Sequence, residues 1–164
     1  MPKKIIKDGK IEQDNWQLIS VEDAANVLPA GDVIVPLSLW QEQADSLKQR
    51  DGGIAIWLNA GEEPESIAAD LDQFAFIAIN FPAFTDGRGY SYARLLRERH
   101  DYRGEIRAIG DVLQDQLHFM FRCGFSSYAL KDTKNIETAL AGFKTISDPY
   151  QAANDLPPLF RRRS

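Results

Sequence analysis

Five short apolar runs alternate along the chain with stretches long enough to form helices. Several of these runs lack polar alternation, as expected when helices cover both faces of a parallel sheet. Parallel neighbours need crossover connections of a dozen residues or more, and the intervals are long enough for them. The apolar runs cover residues 33–35, 54–58, 74–79, 105–109 and 127–130. The helices that follow are expected to begin at Pro36 and to cover 62–71, 90–100, 111–122 and 135–146.

This order of elements predicts an α/β fold of about five β-α units with a mainly parallel sheet. The spacing leaves two forms open, an open doubly wound sheet and a curved sheet like part of a β/α barrel. Five units are too few to close the usual eight-stranded barrel. At the start of the chain, Asp8 and Gly9 separate two short β-prone runs, which is typical of a hairpin turn. An N-terminal β-hairpin is therefore expected within residues 1–19.

The composition of the chain changes after residue 146. A length of 164 residues with 44% hydrophobic content suits one domain. We therefore predict a single α/β domain over residues 1–146 and a tail over residues 147–164. The tail contains three prolines and either packs on its own domain or docks on a partner. Its candidate partner-binding residues are Arg161, Arg162 and Arg163.

Charge and cysteine content exclude several classes of protein. The net charge is −5 and the isoelectric point is near 5.0, which argues against general binding of nucleic acid or anionic membranes. No apolar run approaches the roughly 20 residues of a membrane span, and the first residues do not form a secretory signal. The single cysteine, Cys123, forms no internal disulfide. We expect a cytoplasmic protein.

One loop has the composition of an anion site. Ligands of parallel α/β sheets collect beyond the carboxyl ends of the strands. The longest polar loop follows the third apolar run, and in it two glycines flank Arg88. Glycine lets backbone amides approach a ligand, and a guanidinium group suits a carboxylate, phosphate or sulfur oxyanion. The candidate ligand-binding residues are Thr85, Asp86, Arg88, Gly89, Ser91 and Asp111.

The same residues also have a purely structural interpretation. Asp86 then caps the following helix, and Arg88 pairs with Asp86 or Asp111 to join two loops. Asp111 is placed to cap the helix expected from residue 111. The segment from Arg88 to Arg107 contains six arginines against three acids. Within it, Arg94 belongs either to a patch for an acidic partner or to a solvated helix face.

The sequence contains no motif for a cofactor or a metal. It has no Walker A loop, no glycine-rich dinucleotide turn after a strand, no Cys-x-x-Cys pair and no nucleophile elbow. His100 and His118 do not stand in a metal-ligand spacing. We therefore expect neither a bound cofactor nor a metal ion.

Two sequence blocks resemble the bacterial domain-of-unknown-function 934 family. The first is FPAFTDGRGYS at 81–91 with ARLLR at 93–97, and the second is GEIRAIGDVL at 104–113 with RCGF at 122–125. The resemblance covers most of the chain. It implies a link with sulfite reduction, because such proteins are usually labelled probable oxidoreductases of that pathway. The label reflects genes that lie beside the sulfite reductase haemoprotein gene, and it brings no catalytic residues with it.

The label and the residues disagree, because an oxidoreductase must hold electrons and the sequence shows no redox-cofactor motif. We therefore expect an accessory protein of assimilatory sulfite reduction, within sulfate assimilation and cysteine biosynthesis, without its own redox centre. It would bind sulfite reductase, the electron donor of that enzyme, or a small anion. One alternative is a small enzyme in which Arg88 holds an anionic sulfur metabolite and Asp86 or Asp111 acts as acid–base group. The other is a regulator that senses a metabolite.

Overall fold

An antiparallel hairpin opens the fold, as the Asp-Gly pair predicts. The structure is a computed structural model that describes residues 3–146. Strand β1 (Lys3–Lys7) pairs with strand β2 (Lys10–Asp14). Asp8 and Gly9 form the turn between them, with φ angles of 51° and 79°. Both residues take the left-handed conformation that primed hairpin turns require.

The remaining strands form a parallel sheet. They are β3 (Gln17–Leu18), β4 (Val33–Pro36), β5 (Ile54–Leu58), β6 (Phe76–Phe81), β7 (Glu105–Gly110) and β8 (Ser127–Tyr128). Strands β4 to β8 correspond to the five apolar runs of the prediction. The sheet order is β2-β1-β8-β7-β6-β5-β4-β3, and all neighbours from β3 to β8 are parallel. Each strand from β3 to β8 lies beside the next one in the chain, so successive crossovers place their helices on one face and the sheet curls like half of a barrel.

A two-residue link shows how strong the curl is. Strands β2 and β3 stand at opposite ends of the sheet order, yet only Asn15 and Trp16 separate them in the chain. Eight strands in a flat sheet would span about 34 Å, whereas this link reaches about 11 Å at most. The two ends of the sheet therefore curve towards each other. Trp16 packs edge-on against Phe76 of β6, with ring centroids 4.8 Å apart.

The helices confirm the predicted order but differ in extent. The predicted helix at 62–71 is a 3₁₀ helix, Pro64–Gln73, that buries only Pro64 and Ile67, so packing does little to impose α geometry. The helix predicted from residue 111 begins later, after a short 3₁₀ turn at Gln114–Gln116. The α-helices are α1 (Leu37–Lys48), α2 (Arg88–Glu98), α3 (Leu117–Cys123) and α4 (Ile136–Ile146).

The two faces of the sheet differ in size and chemistry. The convex face packs against the helices and supplies most of the core, including the fully buried Ile56, Ile77 and Ile106. Burial of one such side chain stabilises the fold by about 1.5–3 kcal/mol. The concave face holds a smaller apolar cluster beside charged side chains. That cluster consists of Ile34, Ala55, Trp57, Phe76, Ala78 and Ile109.

Two further expectations concern the ends of the chain and membranes. The tail predicted at 147–164, with Arg161, Arg162 and Arg163, lies outside the described residues. Among residues 3–146, no helix has the length and apolar character needed to cross a membrane.

Candidate functional site

The loop of residues 82–87 leads from β6 into α2, and a tight ion pair joins this loop to the first residue of the helix. The guanidinium of Arg88 donates to both carboxylate oxygens of Asp86, with Nε–Oδ1 at 3.1 Å and Nη2–Oδ2 at 2.7 Å. The backbone amide of Arg88 also donates to Asp86. These hydrogen bonds from Arg88 lower the pKa of Asp86 to about 2. The carboxylate of Asp86 therefore compensates the positive charge of Arg88, which was expected to attract an anion.

Asp111 holds the same loop from the other side. Its carboxylate accepts the backbone amide of Phe84 at 2.8 Å and pairs with Lys131 at 3.0 Å. The hydrogen bonds that Lys131 and the backbone amide of Phe84 donate to Asp111 lower the pKa of its carboxyl group. Asp111 does not cap the helix as expected, because the 3₁₀ turn begins only at Gln114. Asp86, Arg88 and Asp111 thus all form hydrogen bonds within or to the loop between β6 and α2.

The other predicted ligand residues of this loop have different surroundings. Thr85 and Ser91 are exposed. Gly89 is buried, and a β-carbon at this position would lie 2.7 Å from the ring of Phe81. Glycine is therefore needed here for the close approach of α2 to β6. Anion binding by this loop stays a prediction.

The arginine-rich segment is largely involved in internal contacts. Arg97 is buried and donates to the carbonyl oxygens of Tyr102, Gly104 and Gly124 at 2.7–3.0 Å. Burial lowers the pKa of Arg97 to about 10. These contacts connect α2 to the turn before β7 and to the turn between α3 and β8. Arg97 thus has a structural role within the domain.

Two exposed arginines of the same segment also have carboxylate partners. Arg99 pairs with Glu65 at 2.6 Å, and Arg103 pairs with Asp101 at 2.9 Å. The predicted partner residue Arg94 is exposed and hydrogen-bonds to the buried thiol of Cys123, which raises the pKa of Arg94. Most of the positive charge of the segment is therefore compensated within the fold.

A charged network occupies the concave face, and sequence reasoning missed it. Arg107 is 3% exposed, and its guanidinium lies over the ring of Phe76 at 4.0 Å. It donates to Glu105 at 2.9 and 3.1 Å and to Asp14 at 3.1 Å. Ser127 donates to Glu105 at 2.6 Å. The network joins β2, β6, β7 and β8 across the inside of the curl.

The environment of Glu105 favours its charged form. Burial alone would raise the pKa of Glu105, but the hydrogen bond from Ser127 and the charges of Arg107 and Lys7 outweigh it and lower the pKa. Lys7 lies 3.2 Å from the carboxylate. The signal for this network was present in the sequence, because residues two apart in a strand share a face. Glu105 and Arg107 therefore had to lie together on one side of β7.

A cavity of about 750 Å³ opens beside this network at the carboxyl ends of β7 and β8. Five cationic side chains face two carboxylates around it. The cations are Lys3, Lys4, Arg107, Lys131 and Lys134, and the carboxylates are Asp14 and Glu137. Apolar side chains complete the lining, namely Ile5, Trp16, Leu18, Ile34, Ile109, Ala129, Leu130 and Ile136. We call this space the concave cavity.

The concave cavity touches the predicted site at one point only. Lys131 lines the cavity and pairs with Asp111, whereas Asp86 and Arg88 do not line it. Sequence reasoning missed Lys3, Lys4 and Lys134, because the first two belong to the hairpin and Lys134 lies beyond the end of the last strand. Among residues 3–146, no cluster of three or more His, Cys, Asp or Glu side chains is placed to hold a metal ion.

Comparison with known proteins agrees with the sequence blocks. A family model described as "Bacterial protein of unknown function (DUF934)" matches residues 55–160. No curated protein matches the chain. The match includes β5 to β8, the loop of Arg88 and the segment after β8 that lines the concave cavity. The chain belongs to the DUF934 family of bacterial proteins of unknown function.

Proposed function

We propose that this protein is an accessory component of assimilatory sulfite reduction that binds a small anion in the concave cavity and has no redox centre of its own. The observation that carries the binding role is the excess of cations around that cavity. A chain with a net charge of −5 lines this cavity with five cationic side chains against two carboxylates, and three of the five, Lys3, Lys4 and Lys134, form no ion pair with any residue between positions 3 and 146. Such a local reversal of charge attracts anions.

The position of the cavity supports the same role. It lies beyond the carboxyl ends of parallel strands, where α/β proteins collect their ligands. Its volume falls in the range of about 300–1,000 Å³ that is usual for small-molecule sites. The buried network of Arg107, Glu105 and Asp14 forms one side and gives the site a rigid support.

The assignment to sulfite reduction depends on the family resemblance. A deletion of the gene in its own bacterium tests this part. Sulfite reduction yields sulfide, so we expect the deletion strain to grow normally on sulfide or cysteine and poorly on sulfite. Normal growth on sulfite as sole sulfur source would contradict the pathway assignment.

Complementation of the deletion strain tests the part played by the cavity. The wild-type gene should restore growth on sulfite, whereas a gene carrying Lys3→Gln, Lys4→Gln and Lys134→Gln should not. Lys10→Gln is the matched control, since Lys10 is an exposed lysine of the same hairpin that does not line the cavity. Full rescue by the triple variant would show that the cavity is not needed for the pathway.

A further inference from the structure

The concave cavity is much larger than a bare oxyanion requires. A sulfite, sulfate or phosphate ion would contact only one part of a space of about 750 Å³. Small-molecule sites usually enclose most of the ligand surface. The ligand that fits this cavity therefore has a second part, and the lining on each side shows its chemistry.

The lysines are gathered on one side of the cavity by the pairing of β1 with β8. Ile6 lies opposite Tyr128 in this antiparallel pair. Lys3 and Lys4 of β1 and Lys134 from the segment after β8 all line the cavity. We call Lys3, Lys4 and Lys134 the lysine side of the cavity.

The lysine side has little compensating charge. Lys131 next to it pairs with Asp111. Lys3, Lys4 and Lys134 form no ion pair with any residue between positions 3 and 146. Three lysines that line one cavity without an ion-pair partner leave a local excess of positive charge there, and a bound anion would compensate it.

The other sides of the cavity are apolar. Leu18 of β3 is paired with Ile34 of β4, and the Leu18 side chain is 51% exposed. Ile109 and Ala129 line the cavity from β7 and the end of β8. We call these four residues the apolar walls. The curl of the sheet makes both pairs line one space, which suits a flat apolar group.

We propose that the concave cavity binds a phosphate or sulfate ester of a flat apolar group, such as a nucleoside monophosphate. The ester anion lies on the lysine side, and the flat group lies between the apolar walls. This inference rests on the proposed function, because it names the ligand class for the same site.

Calorimetric titration of the full chain tests the two-part ligand. Adenosine 5′-monophosphate is the probe that carries both parts. Inorganic phosphate carries the anion alone, and adenosine carries the flat group alone. We expect one molecule of the monophosphate to bind at least about tenfold more tightly than either fragment. Its affinity should fall as salt is raised, because salt screens the lysines.

Two variants with matched controls locate the binding. Lys134→Gln should weaken monophosphate binding about tenfold, and Lys10→Gln should leave it unchanged. Leu18→Ala should weaken the binding of the monophosphate and leave the binding of inorganic phosphate unaffected. Val27→Ala is the control for that change, since Val27 is 98% exposed and lies outside the cavity. Thermal unfolding of each variant verifies that the fold is intact.

The other outcomes separate this inference from the proposed function. If inorganic phosphate binds as tightly as the monophosphate and Leu18→Ala has no effect, the two-part ligand is wrong and the anion site stands. If adenosine binds as tightly as the monophosphate, the lysine side has no role and the anion site is also wrong. No binding of any probe at millimolar concentration would overturn the ligand class. The growth tests would still decide the pathway and the role of the cavity.

Discussion

The loop of Arg88 and the concave cavity both contain cationic side chains, but the charge is compensated to different extents. In the loop, Arg88 is matched by the carboxylate of Asp86 within two residues of the chain. In the cavity, the lysines come from opposite ends of the described chain and outnumber the carboxylates. Charge that is compensated locally holds a structure together. Uncompensated charge gathered by the fold is the better indication of a ligand site.

The largest expected effect tests the structural side of this comparison. Arg107→Met leaves the carboxylates of Glu105 and Asp14 without their buried partner, so we expect a loss of about 3–5 kcal/mol in the free energy of unfolding. Arg99→Met is the control, because it removes an exposed pair and should cost at most about 1 kcal/mol. Urea unfolding measures both. Equal losses would show that the concave network does not stabilise the curl.

The pH dependence of stability sharpens the role of Glu105. Its pKa is lower in the folded protein than in the unfolded chain. It therefore contributes stability that is present above the unfolded pKa of about 4.3 and is lost as the pH falls through the folded pKa. Glu105→Gln should be less stable than the wild type at pH 7 and should lose less on acidification. Parallel urea-midpoint curves from pH 7 to pH 3 for the two proteins would contradict this.

A pair of glycine variants tests whether Gly89 serves packing or ligand binding. Gly89→Ala places a β-carbon 2.7 Å from the buried ring of Phe81, so we expect a cost of about 1–3 kcal/mol. At Gly87 an added β-carbon would meet no atom within 4 Å, and the φ angle is negative. Gly87→Ala should therefore be neutral or slightly stabilising. Thermal unfolding compares the two. A neutral Gly89→Ala would remove the packing explanation.

The smallest expected effect compares the two regions directly. Arg88→Gln should leave the affinity for adenosine 5′-monophosphate within about twofold of the wild type, because Arg88 does not line the concave cavity. Lys134→Gln in the same titration is the positive comparison. If Arg88→Gln lowered the affinity as much as Lys134→Gln does, the anion would bind at the loop of Arg88 as well, and the comparison would be wrong.

The order of the strands was predictable because its signals are local. Continuous apolar runs such as Ile54–Leu58 indicate strands of a covered sheet, and Asp8 with Gly9 specifies the hairpin turn. The choice between an open and a curved sheet depends on the position of β1 beside β8, more than a hundred residues later in the chain. The spacing of the runs does not contain that information.

The candidate site was harder to predict, for the same reason. Arg88 was a candidate anion ligand because glycines flank it in the sequence. Its ion-pair partner Asp86, however, lies only two residues away. Arg107 pairs with Asp14, 93 residues away, and the lysines of the cavity meet only through the pairing of β1 with β8. Sites assembled by long-range pairing leave weak local signals. The alternation of Glu105 and Arg107 in one strand was the exception.

A crystal structure of the full chain grown with adenosine 5′-monophosphate is the most direct test of the concave cavity as the ligand site. The account predicts the phosphate on the lysine side and the adenine between the apolar walls. A ligand ordered against Arg88 and Asp86, with the concave cavity empty, would contradict it.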